Sequence, residues 1–203
     1  MSGVLYIVTG PSGAGKTSLI KEILNRRTDI SFSVTYTTRP QRKMEIEGID
    51  HFFIDVEKFI KLRDEGELLE WAKVHNNYYG TPKSYVDKLL SKEKDILMDL
   101  DIQGTLQVMK IYKDAVSVFV LPESYRDLKD RLESRATEKD HDIRLRLEDA
   151  KNEIQNFCKF KYVIINDNFK RACKELDSII TAEKLLIERK KEIIKEKFKE
   201  VFE

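Results

Sequence analysis

Glycine is scarce in this 203-residue chain, at 8, and proline is scarcer, at 4. No internal repeat or low-complexity linker is visible. The two cysteines, Cys158 and Cys173, do not form a Cys-x-x-Cys pair. They make no disulfide scaffold and read as free thiols in a reducing compartment. No apolar run approaches the roughly 18 residues of a membrane span. The start, Met1-Ser2-Gly3-Val4, lacks the basic and apolar regions of a secretory signal. The expectation is a soluble, cytoplasmic chain with no membrane partner. An excess of charge is missing too: 37 Lys+Arg stand against 36 Asp+Glu, for a net charge of +1. That balance argues against a nucleic-acid partner, which would call for a strongly basic surface.

What the chain does have is a core's worth of apolar residues, 41%, and 36% charged residues. Its length fits one domain. Short apolar runs recur at Val4–Val8, Ile96–Met98, Val116–Leu121 and Tyr162–Ile165. Each is bounded by polar or turn residues, as in strands buried on both faces of a parallel sheet. Helical patterns lie between them at Lys16–Asn25, Gln103–Ile111, 124–132 and 141–158. The alternation predicts an α/β fold. Residues 31–84 read differently, as a small, partly antiparallel insertion. It has strand candidates at Ser31–Thr38, Asp50–Ile54 and Leu68–Val74 and a helix at Val56–Arg63. Residues 133–142 are polar but for one alanine and read as an exposed, mobile segment. From about Phe169 to Phe202 the spacing predicts one or two amphipathic helices, packed on the core or serving in oligomerisation.

Three of the eight glycines fall in one motif, Gly10-Pro11-Ser12-Gly13-Ala14-Gly15-Lys16-Thr17, followed by Ser18. It matches GxxxxGK[ST], with an apolar strand before it and an amphipathic helix after it. Glycines let backbone amides close around phosphate oxygens, and the helix N-terminus adds its dipole. Lys16 would reach the β- and γ-phosphates, and the Thr17 hydroxyl would ligate Mg²⁺. Asp99 and Asp101 end the run Ile96–Asp101. They suit either a metal-side carboxylate at a strand end or a helix N-cap before Gln103-Gly104. The phosphate loop alone indicates a nucleotide, not a reaction. A GTPase would carry an Asn-Lys-x-Asp loop, which is absent, and the length disfavours a motor or helicase.

Arg39 and Arg42 lie three apart on a polar loop, suited to phosphate or merely surface charge. Glu70 precedes a Tyr78-Tyr79-Gly80-Thr81 turn. A carboxylate there can accept from an N–H beside an exocyclic amino group, a donor pair that guanine offers and adenine does not.

These pieces together resemble the guanylate kinase family over nearly the whole chain. The resemblance rests on the phosphate loop, Thr37-Thr38-Arg39 with Arg42, Glu45 and Gly48, and Asn77-Tyr78-Tyr79-Gly80-Thr81. It continues through Asp99-Leu100-Asp101-Ile102-Gln103-Gly104, Arg131-Leu132-Glu133-Ser134-Arg135 and Ile165-Asn166-Asp167. It implies a P-loop nucleoside monophosphate kinase fold: a central parallel sheet flanked by helices. The core would be about 1–32, 85–124 and 148–203, with a GMP-binding insertion at about 33–84 and a helical lid at about 125–147. It further implies that Arg39, Arg42 and Tyr79 hold the GMP phosphate while Thr35, Glu70, Thr81 and Asp101 read guanine. Asp99 would stand near Mg²⁺, Arg131, Arg135 and Arg146 would stabilise the transferring phosphoryl, and Asn166 would lie near the adenine.

Several positions depart from the family pattern. His51 stands where a phosphate-binding tyrosine is usual; it can donate one hydrogen bond and can become cationic beside a dianion. Pro40 directly follows Arg39, Thr35 and Thr81 replace serines, Asn168 stands for a common aspartate and Ala136 for a common glycine. None removes a core catalytic group. The expected reaction is Mg²⁺-dependent phosphoryl transfer from ATP to GMP, with dGMP as a further acceptor, by a monomer or homodimer. The competing classes are another nucleoside monophosphate kinase and a guanylate-kinase-like protein-interaction module. The latter usually loses phosphate-loop features that are intact here.

Overall fold

The computed structural model describes residues 3–74, 76–133 and 140–203. The chain starts as strand β1 (Leu5–Thr9), every residue of which is buried. It passes through the phosphate loop into helix α1 (Lys16–Arg26). Strands β2 (Ile30–Phe32), β7 (Asp95–Asp99), β8 (Val116–Pro122) and β9 (Tyr162–Asn166) join β1 in one parallel sheet, ordered β2-β7-β1-β8-β9. The near-continuous apolar runs of β1, β7 and β8 follow from burial on both faces. On one face Leu19, Ile20 and Ile23 of α1 pack with Ala172, Leu176 and Ile180 of α7 (Phe169–Glu183). On the other, Val86 and Leu90 of α3 (Lys83–Ser91) and Val108 of α4 (Ile102–Ile111) cover Leu5, Ile7, Ile96 and Met98. The Tyr6 hydroxyl donates to the Ile180 carbonyl at 3.0 Å, tying the last core helix to the first strand.

A second sheet, ordered β4-β3-β6-β5, holds β3 (Thr35–Thr37), β4 (His51–Phe53), β5 (Leu68–Val74) and β6 (Asn77–Pro82). The β3–β4 pair is parallel and the other pairs are antiparallel, as the partly antiparallel reading anticipated. Helix α2 (Val56–Asp64), capped by the Asp55 carboxylate, buries Phe59 against the Tyr78 ring, with centroids 5.2 Å apart.

Two local expectations are corrected. Ser31–Thr38 is not one strand. It supplies β2 to the first sheet and β3 to the second, with the Ser33 amide donating to the Leu97 carbonyl at 3.0 Å where the chain crosses. Tyr78–Thr81 is not a turn but the middle of β6, because its backbone finds partners on both sides, in β3 and β5.

Helices α5 (Tyr125–Glu133) and α6 (Asp140–Ile154) pack through Leu128, Leu132 and Ala150, with Leu147 and Ile154 beside them. Within the segment read as mobile, 134–139 lie outside the described residues. The C-terminal reading holds for α7, which buries Ala172, Cys173, Leu176 and Ile180. Helices α8 (Ile187–Lys197) and α9 (Lys199–Phe202) form as expected but do not pack on the core: they bury no residue, and Ile187, Ile194, Phe198 and Val201 are exposed. Cys158 is exposed and Cys173 buried, and neither forms a disulfide.

Candidate active site

The phosphate loop leaves β1 at the centre of the parallel sheet, where the C-terminal strand edges form the ligand crevice. Its geometry needs glycine at two pinched points. Gly10 has φ +138° and a Cβ there would lie 2.2 Å from the Val120 carbonyl oxygen. Gly15 has φ +93° and a Cβ would lie 2.4 Å from Asn166 Nδ2. Pro11 and Ala14 are buried, and the Ala14 amide donates to the Pro11 carbonyl at 3.2 Å. Lys16 Nζ folds back onto the Gly10 carbonyl at 2.6 Å and the Pro11 carbonyl at 3.2 Å. Gly13 and Ser18 line a cleft of about 390 Å³ with Gly15, Arg131, Asn166, Asp167 and Phe169.

Sheet register brings the next groups in. Val8 of β1 pairs with Asp99 of β7, so the Asp99 carboxylate stands beside the helix that follows the loop. There Thr17 Oγ1 donates to Asp99 Oδ2 at 3.3 Å. Burial pushes the Asp99 pKa up, opposed by Lys16 and Thr17. A hydroxyl and a carboxylate, oxygen donors only, suit a hard dication such as Mg²⁺, whose charge would favour the ionised carboxylate. Phosphate oxygens and waters commonly complete such a shell. Asp101 fulfils the N-cap alternative: its carboxylate accepts from the Gly104 amide at 2.6 Å and starts α4.

From α5, Arg131 reaches the Gly13 carbonyl at 3.5 Å and the Asn166 carbonyl at 3.2 Å. The Asn166 side chain is buried and donates to the Ala14 carbonyl at 2.8 Å. It braces the phosphate loop, a use that its expected place near adenine did not include. Arg146 lies on α6, and Arg135 lies outside the described residues. One residue went unnoticed in the sequence. Glu153, two turns beyond Arg146, lies near the Ser12 amide and within electrostatic reach of Lys16 and Asp101; burial raises its pKa. Its i+7 spacing from Arg146 was the available signal.

The second sheet sorts its side chains by alternation. Thr35 pairs with His51 and Thr37 with Tyr79. Directly paired residues share a face, so Thr35, His51, Tyr79 and Thr81 lie together. Glu70 joins them at the register shift between Leu68 and Trp71, where Thr81 Oγ1 donates to Glu70 Oε1 at 2.6 Å. Bulges of this kind re-aim side chains beside functional sites. The opposite face is aromatic: Tyr36 meets Phe52, Phe52 meets Tyr85, and Trp71 meets Tyr78.

Glu70 is 9% exposed, and burial raises its pKa, with Asp101 adding to the rise and Thr81 opposing it. Gly104 separates the two carboxylates: a Cβ there would lie 3.1 Å from Asp101 Oδ1 and 3.4 Å from Glu70 Oε2. His51 Nδ1 and Thr35 Oγ1 are 2.8 Å apart. Burial and the Arg39 charge push the His51 pKa down, so the free protein holds it neutral at neutral pH, not cationic. Arg39 is bound to Glu45, and the Arg42 side chain is exposed.

A phosphate loop on one sheet and a hydroxyl-and-carboxylate face on another define a P-loop nucleoside monophosphate kinase. A family model described as guanylate kinase matches residues 2–183. The guanylate kinase of Thermotoga maritima is 45% identical, over 98% of this chain and 96% of that protein. That of Legionella pneumophila is 46% identical, over 93% of this chain and 90% of its own length. A crystal structure of guanylate kinase from Anaplasma phagocytophilum superposes with a TM-score of 0.74 at 29% identity, covering 97% of this chain and 96% of that one. The chain belongs to the guanylate kinase family.

The pinch at Gly15 makes a direct prediction. Gly15→Ala should weaken ATP binding at least about tenfold and cost about 1–2 kcal/mol of stability, the scale of a side chain forced to positive φ. Titration calorimetry and urea unfolding measure both. Wild-type ATP affinity in that variant contradicts the described loop.

Proposed function

We propose that this chain catalyses Mg²⁺-dependent transfer of the γ-phosphoryl group of ATP to GMP, giving ADP and GDP, in the cytoplasm. The observation that carries the choice of acceptor is the buried Glu70 carboxylate beside Thr81 and Asp101. Ionised, Glu70 would accept the N1–H and N2–H of guanine, while Thr35, Thr81 and Asp101 address the remaining base edges. Adenine, cytosine and uracil leave that buried charge without two donors, which costs affinity. Because burial raises the Glu70 pKa, guanine binding would strengthen as pH rises through it.

In the reaction, an oxygen of the GMP phosphate attacks the γ-phosphorus in line as the bond to the β–γ bridging oxygen breaks and ADP leaves. Positioning and charge stabilisation carry most of such catalysis. Arg39, Arg42, Tyr79 and His51 would hold the acceptor phosphate. The amides of Gly13, Ala14, Gly15, Lys16, Thr17 and Ser18 would cradle the donor, with Lys16 on its β- and γ-oxygens. Arg131, Arg135 and Arg146 would meet charge on the transferring group. Thr17 and Asp99 would hold Mg²⁺, which when bound neutralises phosphate charge. The insertion at about 33–84 and the lid at about 125–147 would close over both nucleotides and exclude water. Among the described residues, no helix is long and apolar enough to cross a membrane.

A coupled ADP-release assay with ATP and Mg²⁺ across GMP, dGMP, AMP, CMP and UMP tests the reading. Guanine nucleotides should be preferred, and preference for another base overturns it. Glu70→Gln should lower kcat/KM for GMP by about tenfold to a hundredfold, the scale of a hydrogen bond to a charged group, and leave ATP binding unchanged.

His51 makes a pH prediction. The phosphate dianion would raise its depressed pKa, so GMP binding takes up a proton. Relative to His51→Gln, wild-type affinity for GMP should therefore increase as pH falls from about 8 toward about 5, the range in which histidine titrates. A flat affinity ratio across that range removes His51 from the phosphate site.

A further inference from the structure

Resting on the proposed acceptor site, the geometry points to Glu45 as the positioning residue that aims Arg39 at the acceptor phosphate. Arg39 presents five N–H donors in a planar fork. Its Nη1 donates to Glu45 Oε2 at 2.7 Å and its Nη2 to Glu45 Oε1 at 2.5 Å, so the carboxylate takes the end-on edge. The Pro40 carbonyl accepts from Nη1 as well, at 3.0 Å. None of these bonds uses Nε–H, so the side-on edge, Nε–H with the second Nη2–H, can present a bidentate match to phosphate. The Tyr79 hydroxyl lies against this guanidinium. The guanidinium stands over the Phe53 ring, 5.6 Å from its centroid.

Glu45 also shapes the loop that carries the second arginine. The Arg42 amide donates to Glu45 Oε2 at 2.9 Å, the Glu45 amide to the Arg42 carbonyl at 3.0 Å, and Gln41 Nε2 to the Glu45 carbonyl at 2.6 Å. One carboxylate thus fixes the side chain of Arg39 and the backbone turn of Arg42. The pair is enclosed, with the Arg39 and Glu45 side chains 11% and 17% exposed. The Arg39 bond and the Arg42 amide hold the Glu45 carboxyl down at about 2, so it is ionised at neutral pH.

An anion two bonds from a phosphate site could instead compete with the phosphate for Arg39. The two roles predict opposite signs. If Glu45 aims Arg39, removing its charge loosens the guanidinium and weakens GMP binding. If Glu45 competes, removing it tightens GMP binding.

The test uses the full chain with Glu45→Gln, Glu45→Asp, Arg39→Ala and the Arg39→Ala/Glu45→Gln double variant. Calorimetric titration with GMP and with guanosine is paired with kinetics in GMP and in ATP. Glu45→Gln should weaken GMP binding roughly tenfold or more, the scale set by one hydrogen bond to a charged group, and leave guanosine binding and the KM for ATP unchanged. Glu45→Asp should recover part of the loss. In the Arg39→Ala background, Glu45→Gln should cost markedly less than in the wild-type chain, leaving only the part that acts through the Arg42 turn, the mark of a residue acting largely through another. Unchanged or tighter GMP binding in Glu45→Gln overturns the proposal, as do an additive double variant and an equal loss of guanosine binding. Failure of the guanylate kinase reading looks different: the wild-type chain itself would not bind GMP in preference to other nucleoside monophosphates.

Discussion

The close approach of the phosphate loop to its neighbours is the constraint on which the rest depends. At one end Gly10 is pressed against the Val120 carbonyl of β8, and at the other Gly15 is pressed against the Asn166 amide from the end of β9. The loop is therefore held close against the ends of two strands. The Asn166 side chain and Arg131 take the Ala14 and Gly13 carbonyls as acceptors, tying the loop to β9 and α5. Parallel strand register then delivers Asp99 beside Thr17 with no further device. Scarce glycine is concentrated here because nothing else fits.

Electrostatics explains how a chain of net charge +1 can serve two polyanions. Lys16, Arg39 and Arg131 each have local acceptors in the described structure, two backbone carbonyls for Lys16, Glu45 for Arg39 and two carbonyls for Arg131. Their charge is held in place rather than spread over the surface. The acidic residues of the site divide by environment. Glu45 sits against a guanidinium and stays ionised, whereas burial raises the pKa of Glu70, Asp99 and Glu153. Groups of the second kind gain most from a ligand that donates hydrogen bonds or brings a cation.

Much of this was legible in the residues. The apolar runs located β1, β7, β8 and β9 within a residue or so. Two-face burial explains the continuous signal of β1, β7 and β8, but not of β9, an edge strand on which Val163 and Ile165 are exposed, contrary to the expectation for that run. The phosphate loop was legible because its spacing is tied to backbone geometry. The second sheet was harder: β6 carries glycine and a terminal proline and read as a turn until its partners on both sides were known. Register was equally hidden, so the common face of Thr35, His51, Tyr79, Thr81 and Glu70 emerged only from the pairing. The roles of Glu45 and Glu153 depend on contacts with Arg39 and with the Ser12 amide. The exposed stripe of α8 and α9 shows the limit of periodicity, which marks an amphipathic helix but not what it packs against.

The central claim is that the loop fixed between β8 and β9 positions Lys16 on the transferring phosphoryl group. Steady-state kinetics of Lys16→Ala with ATP, Mg²⁺ and GMP, beside its circular dichroism and GMP binding, tests this most directly. The account predicts a fall in kcat on the order of a hundredfold or more, the cost of removing a group that meets charge in the transition state, with fold and GMP affinity retained. A Lys16→Ala variant that turns over at the wild-type rate would contradict it.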